Sequence, residues 1–307
     1  MINLIKNEFK KLLSRKSSFF MIFFIVIVVI FTIITSVLPE DDNNDHWKEE
    51  LEEINKRAKE NLKENDSDII KNDFNKQISI NEYRIQNNIP PYNNLDTWTF
   101  IDNMGGMIVI ITIFTVVISG KIVTKEFSDG TIKLLLMRPI SRSKILFSKY
   151  ITSISYGFML LLLLFIFSFL VGTFFLGIES KAPYIYFRDG QVQEMSMIHH
   201  VVLEYLLKSV DILIVGTVAF TLSIIFNSSS LAIVIPIFLM FGSAVLDPFL
   251  NEGISQYLLF NNLNLAQYFF GDNHNNEGLA NSIIIIILHY ILMIALSFYL
   301  FRNKEIT

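Results

Sequence analysis

The chain has 307 residues, of which 52% are hydrophobic and 18% charged, with a mean hydropathy of +0.46. A soluble domain is usually about 45–50% apolar and about a quarter charged, so the excess is modest and its distribution matters more than its size. The absence of cysteine excludes disulfides, thiolate metal sites and cysteine nucleophiles, and the net charge of −4 is uninformative as a total.

Residues 1–18 read as an amphipathic helix. Ile2, Ile5, Phe9, Leu12 and Leu13 share one face, with Lys6, Asn7, Lys10 and Ser14 away from it. Such a helix lies flat at a membrane surface with its cations near anionic lipid. Residues 19–38 carry no charge. A bilayer-crossing helix needs about 20 mostly apolar residues, so this is the first span. It is too long for a signal peptide and no small-x-small cleavage site follows it.

Residues 39–99 hold eight Lys/Arg and fifteen Asp/Glu. Trp47, Leu51, Ile54, Ala58 and Leu62 recur with helical spacing, and Ile69, Ile70, Phe74 and Ile78 continue it after a polar break. The spacing predicts a helical hairpin or one long bent helix, ended by Asn87-Asn88-Ile89-Pro90-Pro91. The plain reading is an acidic cap. The functional one is a gate or recognition surface.

Five further spans follow at 100–120, 150–178, 201–226, 231–246 and 280–301. Thr112, Thr115 and Ser119 are placed to line a helix contact, and Pro236 to kink the fifth span. The segment 247–279 is too apolar for a free loop and too polar to cross, which predicts a re-entrant or interfacial stretch. Fourteen lysines and arginines precede the first span, follow the last, or lie in the loop 121–149; the short loops on the other side hold two. The positive-inside rule then puts both termini, including the tail 302–307, in the cytoplasm, with 39–99 and 179–200 outside. The expected fold is an all-α integral membrane protein with six transmembrane helices and an extracellular helical insert between the first two.

The loop after the second span contains the motif-bearing stretch. It runs Lys125-Glu126-Phe127-Ser128-Asp129-Gly130-Thr131, then Leu134-Leu135-Leu136-Met137-Arg138-Pro139, and reaches Arg142. Its grammar is a short amphipathic helix between a glycine turn and a proline stop, with Glu126, Asp129, Lys133, Arg138 and Arg142 left to face a charged partner or lipid headgroups.

This stretch resembles the signature E-F-x-x-G-T-x-x-x-L-L-x-x-P-x-x-R of type-2 ABC transporter permeases. Glu126, Phe127, Gly130, Thr131, Leu135, Leu136, Pro139 and Arg142 fit it, with the leucine register loosely defined. In that family the segment is the coupling helix that docks on an ATP-binding subunit, so the resemblance implies this role here. It also implies a bacterial plasma-membrane exporter with two ATPase copies and a second permease, identical or related. The bacitracin- and lantibiotic-resistance permeases are similar, and they suggest a peptide or lipid-active antimicrobial as substrate. The insert 39–99 departs from the compact members. No G-x-x-x-x-G-K-[ST] phosphate loop occurs, so no cofactor is expected on this chain, and ATP and Mg would sit on the partner. Membrane lipid is the other expected partner, and nucleic acid is not. No HExxH or GxSxG motif suggests an enzyme.

Ionisable residues inside spans are costly and therefore functional candidates. Glu204, Lys208 and Asp211 fall on one helical face, where they can pair with one another or line a pathway exit. His289 sits mid-span and is expected to bond to a neighbouring helix backbone. Two other function classes compete: an ion-coupled secondary transporter, which wants acids near the midplane, and a membrane sensor with the outer helical segment as receptor.

Overall fold

A computed structural model describes residues 1–37, 46–64, 68–91, 96–131, 140–179, 183–188, 190–226, 228–246, 249–250, 252–270 and 278–303. Helix α1 (Ile2–Leu13) turns at Ser14 into α2 (Lys16–Val37). Helices α3 (Trp47–Glu64) and α4 (Asp68–Asn87) follow. Then come α5 (Thr97–Met104), a 3-10 turn at Gly105–Met107, α6 (Ile108–Ile122) and α7 (Thr124–Ser128). Helix α8 is the longest, Arg142–Leu176. Strands β1 (Tyr184–Arg188) and β2 (Gln191–Met195) form an antiparallel hairpin. The chain continues through α9 (Met197–Phe226), α10 (Ser229–Leu246), α11 (Glu252–Ser255), a 3-10 turn at Phe260–Asn262, α12 (Ala266–Phe270) and α13 (Leu279–Asn303).

Among the described residues, five helical stretches are long and apolar enough to cross a membrane: Lys16–Val37, Thr97–Ser128, Arg142–Leu176, Met197–Phe226 and Leu279–Asn303. Their outward rows keep large apolar side chains exposed, among them Phe19, Phe31, Leu170, Phe174, Leu288 and Ile291. In water such patches would drive aggregation; against lipid tails they cost nothing. The chain is thus a helical multi-pass membrane protein. Helix α10 is apolar but shorter than the other five, and holds Pro236 in its interior.

The core lies where α6, α8 and α9 meet. Small residues permit the close approach. A Cβ on Gly157 of α8 would collide with Thr115 and Ile212, and one on Gly216 of α9 would meet Ile154 and Thr115 at 3.0 Å. Thr112 and Thr115 hand their hydroxyl hydrogens to carbonyls one turn back, Ile108 and Ile111, so neither is a buried orphan. The expected helix contact on this face is present. Helix α2 packs one stripe on α8: Met21, Ile25, Val29 and Ile33, each four residues on, are buried while the flanking phenylalanines face out.

Outside the bundle, α3 and α4 form the hairpin that the periodicity predicts, not the single bent helix. Asn81 Nδ2 donates to Asn55 Oδ1 at 2.8 Å in its buried seam, and Lys59 pairs with Glu82 at 2.9 Å. The stretch 179–200, read as a loop, holds the β-hairpin, on which α4 rests. Between the strands Gly190 has φ +79°, the left-handed conformation a tight hairpin demands. The helices also overrun the expected boundaries. Helix α8 begins at Arg142 rather than 150, because Ser141 starts a polar but helix-forming turn; α9 begins at Met197 and α13 ends at Asn303.

Candidate functional site

Polar side chains gather at the two ends of the bundle. The first group lies at the basic end, where α1, α7 and the start of α8 meet. Helix α7 is the beginning of the motif, and it touches four other elements. Thr124 Oγ1 lies 2.6 Å from Ser229 Oγ at the start of α10. The Phe127 ring stands edge-on to Phe301 of α13, centroids 6.5 Å apart. Glu126 points the other way, into the protein.

Glu126 is 2% exposed. Its Oε1 accepts from Lys149 Nζ of α8 at 2.7 Å and from Lys11 Nζ of α1 at 2.8 Å. Lys149 is 1% exposed and also reaches Glu8 Oε2 of α1 at 2.9 Å. Two carboxylates and two ammonium groups therefore alternate, with formal charges that cancel. Glu126 and Lys149 lie in the low-dielectric interior, where each charge is tolerable only because its partner is present, while Lys11 is half exposed. Glu126 Oε2 is buried with no hydrogen-bond partner among the described residues. The expectation that Glu126 faces a charged partner or lipid is corrected here. Its side chain is consumed by an internal lock, because α1 folds over it.

The lock is reinforced nearby. Tyr156 of α8 donates to the Ser18 carbonyl at 3.0 Å, and Ser18 donates to the Leu12 carbonyl at 2.7 Å, pinning the α1–α2 corner. Arg142 Nη1 donates to the Arg302 carbonyl at 3.2 Å, tying α8 to α13. Deeper in, the Tyr150 hydroxyl meets Thr217 Oγ1 at 2.9 Å and donates to the Tyr290 hydroxyl at 3.1 Å, joining α8, α9 and α13. Motif residues that stay exposed are Lys125, Ser128, Asp129, Gly130 and Thr131. Gly130 has φ +67° with open space where a Cβ would stand, so it serves a left-handed turn and not a close approach. Leu135, Leu136 and Pro139 lie outside the described residues.

The second group lies at the opposite end, under the β-hairpin. His200 Nε2 is 2.9 Å from Asp102 Oδ1 of α5 and 3.5 Å from Glu204 Oε2 one turn along α9. Lys208 pairs with Glu204 Oε1 and leans on the Gly105 carbonyl at 3.4 Å. The His200 ring stacks on Tyr184 of β1, centroids 3.4 Å apart, and meets the Phe270 edge at 4.3 Å. Asp102, His200 and Glu204 offer three ligand atoms at metal-ligand spacing. The donor set fits a divalent cation poorly. Buried His200 Nδ1 has no partner among the described residues, so the tautomer that frees Nε2 for a metal would strand an N–H there. The neutral ring that donates from Nε2 to Asp102 leaves only a lone pair unmatched.

Of the polar residues singled out from the sequence, Glu204 and Lys208 pair as expected, and Asp211 does not join them. Asp211 Oδ1 accepts from the Asn264 backbone N–H at 3.3 Å, in the segment between α11 and α12. His289 is corrected in detail: its Nδ1 contacts the Ile285 carbonyl of its own helix at 2.9 Å, not a neighbouring backbone. Asp102, His200, Glu8, Lys11 and Lys149 were not singled out. Asp102 and His200 are 98 residues apart and Glu8 and Lys149 141, so no local spacing links them. The available signal was an ionisable residue near a span end with no local partner.

A family model described as "Protein of unknown function (DUF2705)" matches residues 69–307. The Uncharacterized protein YhcI of Bacillus subtilis (strain 168) is 35% identical over 313 aligned positions, covering 100% of this chain and 99% of that protein. The Uncharacterized membrane protein YdbK of the same organism is 28% identical over 203 positions, covering 64% of this chain and 78% of that protein.

Proposed function

The chain belongs to this DUF2705 family, and from its motif at Glu126 to Thr131 we propose that it is the membrane-spanning subunit of an ATP-driven exporter in the bacterial plasma membrane. In this reading α10 is a sixth span, both termini are cytoplasmic, and the α3–α4 hairpin and the β-hairpin are outside. ATP is hydrolysed by a separate subunit, present in two copies, and a second permease chain completes the pathway. The cargo is an amphiphile of the peptide or lipid-active antimicrobial kind.

The observation that carries the reading is the hub at α7. A segment with the Glu-Phe-x-x-Gly-Thr pattern is bonded to α1, α8, α10 and α13 at once. A push on its exposed side, Lys125 to Thr131, would move the basic ends of four helices together. Glu126 is then the anchor that transmits the push, and Lys125 and Asp129 are the groups that meet the ATPase.

The test is to express the chain with the ATPase encoded beside it, purify both by a tag on the ATPase, and measure hydrolysis. A stable complex whose hydrolysis depends on this chain is expected. Asp129→Lys should weaken the complex while leaving the melting temperature unchanged, because Asp129 is exposed. A pair that never associates, with the chain folded, would sink the reading.

A further inference from the structure

The cavity between α6, α9, α10 and the turn at Phe260–Asn262 is unused by the coupling mechanism. It has a volume of about 370 Å³ and is lined by Val109, Thr112, Val215, Met240, Phe241 and Phe260, with Lys208 and Asp211 as its ionisable groups. That size lies in the range of small-molecule sites, about 300–1,000 Å³. Its walls are apolar and aromatic. Phe241 is exposed on α10, and with α10 as a sixth span an amphiphile in the bilayer can reach it.

The two ionisable groups differ in what they have left to offer. Lys208 is committed to Glu204 and to the Gly105 carbonyl. Asp211 accepts one hydrogen bond, from the Asn264 N–H, and no cationic side chain lies within ion-pair distance of it among the described residues. The cation nearest in sequence on its face, Lys208, is already paired with Glu204 and balances Asp211 only at a distance; an intramembrane carboxylate so placed is costly and marks where a ligand can supply the remaining charge. Aromatic rings beside it add to the attraction for a cation.

We propose that this cavity binds an amphiphilic cation, with the positive group on Asp211 and the apolar body against Met240, Phe241 and Phe260. The site needs no ATPase. Its service as the loading point for cargo rests on the exporter reading, and the binding itself does not. The same chemistry is presented by a free organic cation and by an amine-bearing lipid headgroup.

The test uses the full chain in nanodiscs of phosphatidylglycerol, with tritiated tetraphenylphosphonium as probe. Saturable binding is expected, weakened about tenfold or more in Asp211→Asn, which keeps the acceptor for Asn264 and removes the charge. Asp211→Asn should melt no earlier than the unaltered chain, so weaker binding is not loss of fold. Competition by added phosphatidylethanolamine would identify the bilayer as a source of the ligand, and its absence would point to a soluble cation; either result keeps the cation on Asp211. No saturable binding, or equal binding by Asp211→Asn, overturns the proposal. No saturable binding by the unaltered chain while it still stimulates the ATPase refutes only this site, and saturable binding without any ATPase complex refutes only the exporter reading.

Discussion

Lys149 illustrates how much one side chain can carry. It is among the largest fully buried side chains, and it neutralises carboxylates from two other elements. Removing one member of a buried pair typically costs about 3–5 kcal/mol, because it strands the opposite charge. Lys149→Met should therefore lower stability by about that amount. In the double variant Lys149→Met with Glu126→Gln the loss should be smaller. Melting in a mild detergent, followed by loss of near-UV circular dichroism, reads both. Equal losses in single and double variants would contradict the lock. The individual residues of this lock were legible only in part. Glu126 stood out by its motif, yet its direction was misread, because exposure in a juxtamembrane loop is the default and only the fold of α1 reverses it. Lys149 lies inside a basic run whose summed charge gives the expected orientation and masks its own burial.

Among the elements, hydrophobic length and helical period made the long helices legible, while several helices run past their expected ends through polar but helix-forming turns. The β-hairpin was not legible. Strand β1 reads Tyr184-Ile185-Tyr186-Phe187-Arg188 with no polar alternation, β2 has only Val192 between glutamines, and each is five residues long, too short to outweigh the surrounding helical signal. Its place is set by tertiary contact with α4 and His200. Helix contacts were legible as small residues but not as partners. At the α6–α8–α9 crossing, Gly157→Leu would drive a side chain into Thr115 and Ile212. Overpacking of this kind costs about 1–3 kcal/mol. The variant should melt earlier, and Gly190→Leu, on the open turn, should reduce stability less. The α3–α4 hairpin should behave as a separate unit. Asn55→Ala leaves the Asn81 amide buried without its partner, a penalty of about 1–3 kcal/mol. Faster proteolysis within 46–91, with hydrogen exchange in α8 and α9 unchanged, is the expected outcome.

At the scale of the whole molecule the prediction concerns sidedness. The chain lacks cysteine, so single cysteines can be introduced without background. Placed at Asp129 and Asn303, they should react with an impermeant maleimide only in inside-out vesicles. Placed at Lys59 and Arg188, they should react only in intact cells. Labelling of Asp129 and Lys59 from the same side would break the six-span arrangement.

The ionic lock also imposes an order on synthesis. Glu8 and Lys149 are separated by 141 positions along the chain. At a translation rate of about 5–20 residues per second, helix α1 is made on the order of ten seconds before the lysine that completes its seat. During that interval Glu8 and Lys11 have no bundle to join, and the headgroup region of the membrane is where α1 must wait. A ribosome that stalls before codon 149 leaves a chain whose first helix lacks the lysine that seats Glu8.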